Sequence, residues 1–393
     1  MKKLISIMLS LTLVFSVFTV MSVNTAAAKE NVATSGTTGD CTWAYDGETK
    51  TLTISGNGAT ASYDDEENPA PWSGFEVKNL VIEDGVTWLR SFNFSGLDIE
   101  SVVIPDSVTQ IGMMVFPDCT SLKTVTMSEN VKQIGGGAFR NCTSLESIDL
   151  PECLESVGPF AFEDCEKLDD FVFPDSLYDV GAGAFGNTAW MNAQPDGAVF
   201  ANKVLLGYKG HSEEPFSLEI KDGTATVAAG AFSDMWDHDM ITDIKFPASL
   251  WGIGMNAFWN LNGLTRVEIP ATVTQIWPGG IGYGFDETIE DVVKNPNLVI
   301  AGVKGSEAER YANENEIPFE EIVPVVIGDI NGDNSVDILD ATLAQKHSAG
   351  KADLTEEQLA VADVNNDKNV DILDATEIQK FAAGKITEFK KKA

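Results

Sequence analysis

Residues 134–145 read Ile134-Gly-Gly-Gly-Ala138-Phe139-Arg-Asn-Cys142-Thr-Ser-Leu145, and this pattern recurs on both sides at a fixed interval of 23 residues (134 − 111 = 23). The residues that recur in step are a branched residue before glycine (Ile111, Ile134, Val157, Val180), an apolar pair (Val115-Phe116, Ala138-Phe139, Ala161-Phe162, Ala184-Phe185) and a cysteine (Cys119, Cys142, Cys165). A fixed period of this length predicts a solenoid, in which each repeat buries the face that its neighbour leaves open.

Each repeat is expected to contribute one short strand and one turn. The β-branched and aromatic triplets predict strands at residues 102–104, 125–127, 148–150 and 171–173. The period breaks between Phe185 and Phe232, which are 47 residues apart (232 − 185 = 47) and enclose a hairpin-like run at 198–208. It resumes with predicted strands at 244–246 and 267–269.

Two segments are predicted to close the ends of this array, which we place at residues 74–324. Residues 29–73 contain short alternating runs and are interpreted as an N-terminal β segment held by Trp43 and Trp72. Residues 306–315 have helical character and begin with a serine at the N-cap position. We expect this helix to cover the last repeat, because the ends of a solenoid need capping.

The N-terminus has the pattern of a secretory signal peptide. Lys2 and Lys3 precede an apolar run from Leu4 to Val23, and small residues follow at Ala26-Ala27-Ala28. We expect residues 1–28 to be removed and the mature protein to be secreted, without a membrane partner after cleavage. A membrane anchor is the alternative, since the apolar run is long enough to span a bilayer.

The charge balance argues against several classes of partner. The formal net charge is −34, and removal of the two lysines of the signal peptide takes it to −36. A strongly acidic chain is repelled by nucleic acids and by anionic membranes, so neither is expected as a partner.

A near-duplicated acidic segment at 329–340 and 363–374 has the spacing of a twelve-residue calcium loop. Oxygen donors fall at loop positions 1, 3, 5, 9 and 12 in both copies, and position 7 supplies its backbone carbonyl. We therefore predict two Ca²⁺ ions, because one such loop could arise by chance and a spaced pair could not. The predicted ligands are Asp329, Asn331, Asp333, Ser335, Asp337 and Asp340 for the first ion, and Asp363, Asn365, Asp367, Asn369, Asp371 and Asp374 for the second.

The two loops differ at position 6, which favours a positive φ. The first loop has Asn334 there and the second has Lys368. Asparagine tolerates the left-handed region better than lysine, so the second site is predicted to be the weaker one.

At these residues two family resemblances become specific. The Ile-Gly, Ala-Phe and Cys-Thr-Ser-Leu pattern resembles the BspA-type leucine-rich repeat family of bacterial surface and secreted proteins, over roughly residues 40–320. That resemblance implies a mainly β solenoid whose array binds a protein or glycan, with no fixed ligand residues.

Residues 325–393 resemble a type I dockerin, a small all-α calcium-binding module. The resemblance rests on both loops, on the helices that follow them, and on Ala349-Gly350-Lys351 and Ala383-Gly384-Lys385. Thr355 with Gln358 three residues later predicts a capped middle helix. Such modules attach cellulosomal proteins to the cohesin modules of a scaffoldin, so the resemblance implies a cohesin partner and a cell-surface cellulosome of a Gram-positive anaerobic bacterium.

The dockerin resemblance also implies where a cohesin would bind. The implied contact residues are Ile338, Leu339, Gln345 and Lys346 in the first half, and Ile372, Leu373, Gln379 and Lys380 in the second. The two halves present the same residues, which permits the hypothesis that a cohesin docks on either one. The alternative for Ile338 and Ile372 is that they fill the core of the module.

Cysteines and tryptophans leave open interpretations elsewhere. The three cysteines in register are expected to be buried thiols, with a redox or metal site as the alternative, whereas Cys153 has no predicted role. The disulfide state of the five cysteines, which include Cys41, is not fixed by their spacing. Four tryptophans in the last repeats, which serve packing between repeats or form a glycan-binding patch, are Trp236, Trp251, Trp259 and Trp277.

No catalytic constellation is recognisable. The three histidines lie in surroundings that do not support a nucleophile–base pair, and stacked 23-residue repeats build no deep cleft for paired carboxylates. The sequence therefore predicts a secreted, non-catalytic protein that a dockerin delivers to a cellulosome. The alternative is a cellulosomal enzyme or accessory factor in polysaccharide catabolism.

Overall fold

The computed structural model describes residues 33–64, 67–233, 240–286, 289–323 and 325–389. The predicted signal peptide and Trp236 lie outside these residues. The described part forms a β solenoid followed by a small helical module, so the predicted fold class is confirmed. The boundaries placed at 28, 73 and 324 remain predictions.

The strands are short throughout the solenoid. In chain order they are β1 (Ser35–Thr38), β2 (Cys41–Asp46), β3 (Thr51–Gly56), β4 (Gly58–Ala59), β5 (Asn79–Ile82), β6 (Val86–Leu89), β7 (Ser101–Val103), β8 (Gln110–Ile111), β9 (Thr124–Thr126), β10 (Gln133–Ile134), β11 (Ser147–Ile148), β12 (Ser156–Val157), β13 (Asp179–Val180), β14 (Gly197–Ala201), β15 (Val204–Lys209), β16 (Phe216–Glu219), β17 (Thr226–Val227), β18 (Ile241–Lys245), β19 (Gly252–Ile253), β20 (Arg266–Glu268), β21 (Gln275–Ile276), β22 (Tyr283–Asp286), β23 (Asp291–Lys294), β24 (Val299–Gly302) and β25 (Phe319–Glu321).

The helices described are five, and three of them belong to the C-terminal module. They are α1 (Ala189–Ala193), α2 (Glu307–Glu314), α3 (Ile338–Ser348), α4 (Glu356–Ala362) and α5 (Ile372–Ala382). None of the helices in the described residues combines the length and apolar character needed to cross a membrane.

Each regular repeat contributes two short strands, and each of them pairs in parallel with its copies in the neighbouring repeats. The expectation of one strand per repeat is therefore wrong. The first strand joins the sheet β7-β9-β11 and the second joins the sheet β4-β6-β8-β10-β12-β13. The second strand pairs in register with its copy one repeat away, as Gln133 does with Gln110 and Ser156. It forms because a branched residue points into the core while the polar residue before it points outwards, which is the alternation of a strand.

The strand predicted at 171–173 is also absent, and only an isolated bridge pairs Ser147 with Asp170 there. The cause is the neighbouring helix α1, which takes the place of the next repeat. The Trp190 ring lies 5.5 Å from that of Phe171 and 5.2 Å from that of Phe173.

Glycine follows the branched residue because the backbones of successive repeats meet at this point. A Cβ added at Gly135 would lie 2.4 Å from the backbone carbon of Gly112, and one at Gly158 would lie 2.4 Å from the backbone nitrogen of Gly136. No side chain fits at these distances, so the recurring glycine sets how closely the repeats stack.

A ladder of phenylalanine rings forms the centre of the core. Successive rings stack with centroids 5.1–5.4 Å apart, and all are buried: Phe94, Phe116, Phe139, Phe162 and Phe185. At the N-terminal end Trp72 continues the ladder, 5.9 Å from Phe94, and its own edge meets Trp43 at 5.7 Å. The predicted role of both tryptophans in holding the N-terminal β segment is confirmed.

The cysteines in register are buried thiols, as predicted. Each Sγ donates to the carbonyl of the phenylalanine in the preceding repeat, at 3.1–3.2 Å, for Cys119, Cys142 and Cys165. All five cysteines are free. Cys153 occupies a different position of the repeat, where its Sγ donates to the carbonyl of Val131. In the next repeat Ser176 holds the same position, and its hydroxyl donates to the carbonyl of Leu154.

The irregular segment contains the predicted hairpin, in which β14 pairs antiparallel with β15 and Ala198 faces Tyr208. The array continues past it. Thr226 Oγ1 donates to the carbonyl of Tyr178 at 2.6 Å, and the Ala229 N–H donates to that of Val180 at 3.0 Å. The strands β17, β19 and β21 pair in parallel and continue, beyond β13, the face formed by the sheet β4-β6-β8-β10-β12-β13. We call this continuous surface the second face.

Helix α2 covers the last repeat, as expected. The Tyr311 hydroxyl lies within hydrogen-bonding distance of both the N–H and the carbonyl of Ile281, and Glu307 accepts the N–H of Ile276 at 2.9 Å. These contacts satisfy edge groups that would otherwise be open to pairing with another chain. The serine cap is wrong in one respect: Ser306 holds the N-cap position, but its hydroxyl is buried without a partner and makes no capping bond.

Candidate calcium and docking site

Both calcium loops run directly into a helix whose first turn is built from loop residues. The N-caps are Asp337 and Asp371, so the helices begin at Ile338 and Ile372, which are position 10 of each loop. Each N-cap carboxylate accepts a backbone N–H at 2.6 Å, from Leu339 and Leu373 respectively. Position 9 of each loop is therefore also the residue that starts the helix.

The position-12 carboxylates are completely buried and join the ends of their loops. Asp340 accepts the N–H groups of Ile330 at 2.8 Å, Asn331 at 3.0 Å and Asp337 at 2.9 Å. Asp374 accepts two, from Asn365 at 3.3 Å and Asp371 at 3.0 Å. The first loop is thus held by one more charge-assisted bond at this position than the second.

The position-1 carboxylates show the same difference. Asp329 accepts three backbone N–H groups, from Gly332, Asp333 and Asn334. Asp363 accepts two, from Asp367 and Lys368. The positive φ predicted for position 6 is observed in both loops, at 65° for Asn334 and 70° for Lys368.

The donor set fits a hard divalent cation such as Ca²⁺, which takes carboxylate, amide and carbonyl oxygens. In the second loop the Asn365 Oδ1 is buried without a hydrogen-bond partner, as a ligand oxygen would be. Burial raises the pKa of Asp374, and the nearby carboxylates of Asp363 and Asp371 raise it further. Among the described residues no three His, Cys, Asp or Glu side chains converge as a ligand group, and the carboxylates named above bond loop amides instead.

The predicted apolar docking residues are exposed, which excludes the alternative that they fill the core. Ile338, Leu339, Ile372 and Leu373 are 53–56% exposed. The core of the module is formed instead by other residues, including Ile330, Ala341, Ala375 and Ile378. Lys346 and Lys380 are exposed, and Gln345 and Gln379 are half-buried.

The middle helix ties the two halves together. Thr355 and Gln358 form the predicted capping box at the start of α4. Gln358 also donates through Nε2 to the carbonyl of Ile330 in the first loop, at 3.0 Å. The sequence pointed to Gln358 only as a capping residue, since no local pattern indicates this contact across 28 residues.

The repeats present a second candidate site, a groove of about 440 Å³ along the second face. Its walls include Trp88, Tyr178 and Trp277, and residues from both sides of the irregular segment line it. Trp88 and Asp179 were not predicted from the sequence. The signal that could have found them is their position, since each directly precedes a buried branched residue of a short strand.

Of the four tryptophans for which packing and a glycan-binding patch were both open, the three in the described residues do not form one cluster. Trp277 lines the groove, Trp251 lies 5.8 Å from Tyr178, and Trp259 is not among the groove residues. Trp236, the fourth, lies outside the described residues.

Family models match both parts of the chain. The BspA type leucine rich repeat region matches in six copies over residues 73–193 and 213–279, and the dockerin type I domain matches residues 327–381. The chain is a BspA-type leucine-rich repeat protein with a C-terminal type I dockerin domain. Type I dockerin domains bind calcium, and the domain implies a cohesin partner.

Solved structures similar to the chain are bacterial leucine-rich repeat proteins. One from Eubacterium ventriosum is 19% identical, covering 70% of this chain and 73% of that one, with a TM-score of 0.38. One from Bacteroides ovatus is 18% identical, covering 72% and 98%, with a TM-score of 0.31. Comparison with curated proteins found no match.

Proposed function

We propose that this is a secreted, non-catalytic component of a cellulosome, attached by its dockerin domain and binding a protein or polysaccharide surface through its repeats. The observation that carries the proposal is the repeated exposed pair, Ile338-Leu339 and Ile372-Leu373. Apolar side chains left exposed at matching positions of two half-modules are typical of a protein-binding surface.

Calcium is proposed to act through the helices. Two ions would be held by the loop residues 329–340 and 363–374, and would neutralise carboxylates that otherwise repel one another. Since position 9 caps the helix and position 12 closes the loop, ordering the loop fixes the first turn of α3 and of α5. The exposed pairs lie in those turns, so their orientation depends on the loops.

The near two-fold repeat supports two equivalent docking faces. The residues at the proposed cohesin contact positions are identical in the halves: Ile338, Leu339, Gln345 and Lys346 match Ile372, Leu373, Gln379 and Lys380. One cohesin would use one face at a time.

Two assays on the full chain test this proposal. Capture by immobilised type I cohesins in calcium, lost in excess chelator, is expected. The alternative of a polysaccharide-degrading enzyme is tested by incubation with a panel of plant polysaccharides and measurement of released reducing ends. No release is expected, and release above a boiled control would overturn the non-catalytic assignment.

A further inference from the structure

The groove on the second face contains a row of polar side chains that make no hydrogen bond within the described residues. Gln110, Gln133, Ser156 and Asp179 each precede an inward branched residue on four consecutive strands. Among the described residues none of these four side chains makes a hydrogen bond, and all four line the groove. Since adjacent strands lie about 4.8 Å apart, the row offers hydrogen-bonding groups at a regular interval along the array.

Aromatic rings accompany this polar row. Trp88 and Tyr178 are 37% and 42% exposed, so a substantial part of each residue is open to a ligand. Trp277 also lines the groove. A concave site that combines aromatic rings with a few convergent polar groups is typical of a ligand site.

The charges along the groove argue against an acidic ligand. Asp179 is the one charged residue among those that line it. No described residue that lines the groove is cationic, and the Arg90 guanidinium beside it packs over the Trp88 ring, 4.7 Å from the ring centroid. The net charge of −34 repels an acidic polymer. The groove is suited to a neutral ligand that carries many hydroxyl groups.

We propose that the groove binds a neutral, hydroxyl-rich polysaccharide chain. The Trp277 ring provides a stacking surface for a sugar ring, and the face of Trp88 that Arg90 does not cover provides a second. Gln110, Gln133 and Ser156 hydrogen-bond the sugar hydroxyls. This inference rests on the proposed function and deepens it, because it names the ligand of the repeats and the residues that hold it.

Affinity electrophoresis of the full chain tests it, in gels containing hydroxyethylcellulose, xyloglucan, mixed-linkage β-glucan or polygalacturonate. Retardation by at least one of the three neutral polymers is expected, and none by polygalacturonate. Trp277→Ala and Gln133→Ala are each expected to weaken that retardation at least about tenfold. Trp259→Ala is the matched control, because Trp259 is also half-buried and does not line the groove.

Calcium-dependent cohesin capture and far-UV circular dichroism of each variant confirm that it remains folded. Absence of retardation by all three neutral polymers would overturn the inference, as would retardation that both groove variants retain. Binding only of polygalacturonate or of cell-wall protein would also overturn it. If the chain binds cell-wall protein and a cohesin but no neutral polymer, the proposed function stands and this inference fails. Failure of the inference is therefore distinguishable from failure of the proposed function.

Discussion

The buried Asp340 carboxylate accepts the backbone N–H of Ile330 at 2.8 Å, which joins the last position of the first calcium loop to its second. Two further N–H groups, from Asn331 and Asp337, bond the same carboxylate. Asp340 therefore holds the loop closed as well as serving as a proposed calcium ligand.

Asp340→Ala is expected to destabilise the dockerin domain strongly. The substitution leaves three backbone N–H groups of the loop without their charged acceptor. Each one that stays buried without a partner lowers the free energy of unfolding by about 1–3 kcal/mol. Thermal unfolding followed by circular dichroism, with calorimetric calcium titration, measures the loss. Asp353→Ala is the control, since Asp353 is exposed. Equal unfolding temperatures for the two variants would contradict this role.

Lys368→Gly is expected to tighten the second calcium site. Lys368 has φ 70°, a left-handed conformation that costs a non-glycine residue about 1–2 kcal/mol, so removal of the side chain should improve affinity roughly five- to thirtyfold. Asn334→Gly is the matched change in the first loop, where asparagine tolerates φ 65° and the gain should be smaller. Calorimetric titration of the full chain compares the variants. No tightening by Lys368→Gly would refute the predicted difference between the sites.

Gly135→Ala is expected to disrupt the stacking of the repeats. The new Cβ would lie 2.4 Å from the backbone of Gly112 in the preceding repeat. The atoms that it meets are backbone atoms, so no flexible side chain can move aside. Overpacking of this kind costs about 1–3 kcal/mol, and occasionally more. Gly74→Ala is the control, because a Cβ there meets no atom within 4 Å. Denaturant unfolding of both variants measures the difference, and similar midpoints would be inconsistent with the stacking account.

Thiol ionisation is expected to limit the alkaline stability of the repeats. Burial raises the pKa of Cys119 from 9.0 to about 12. A raised pKa stabilises the folded state fully below pH 9, and this contribution is lost as the pH rises from 9 to about 12. Cys119→Ala should therefore show a shallower fall in the free energy of unfolding over that range. A slope equal to that of the unchanged protein would contradict the assignment.

The sequence predicted the features that depend on residue type at fixed spacing. The 23-residue period, the buried cysteines, the phenylalanine positions and the positive φ of Asn334 and Lys368 all follow from local chemistry. The second strand of each repeat was missed because it is two residues long, as in Gln133–Ile134, and one outward and one inward residue are too few to be recognised as a strand in the sequence. The groove was missed because its walls come from residues far apart in the chain, such as Trp88 and Trp277.

The central claim is that the dockerin domain docks to a cohesin through a repeated face, and it rests on the exposed pairs Ile338-Leu339 and Ile372-Leu373. The most direct test is the affinity of the full chain for a type I cohesin in calcium, measured by calorimetry for three variants. These are Ile338→Ala/Leu339→Ala, Ile372→Ala/Leu373→Ala, and the combination of all four substitutions. Each double variant is expected to bind within a few-fold of the unchanged protein, because the other face remains, and the fourfold variant is expected to lose at least about a hundredfold. Loss of binding in one double variant alone, or unchanged binding in the fourfold variant, would contradict the account.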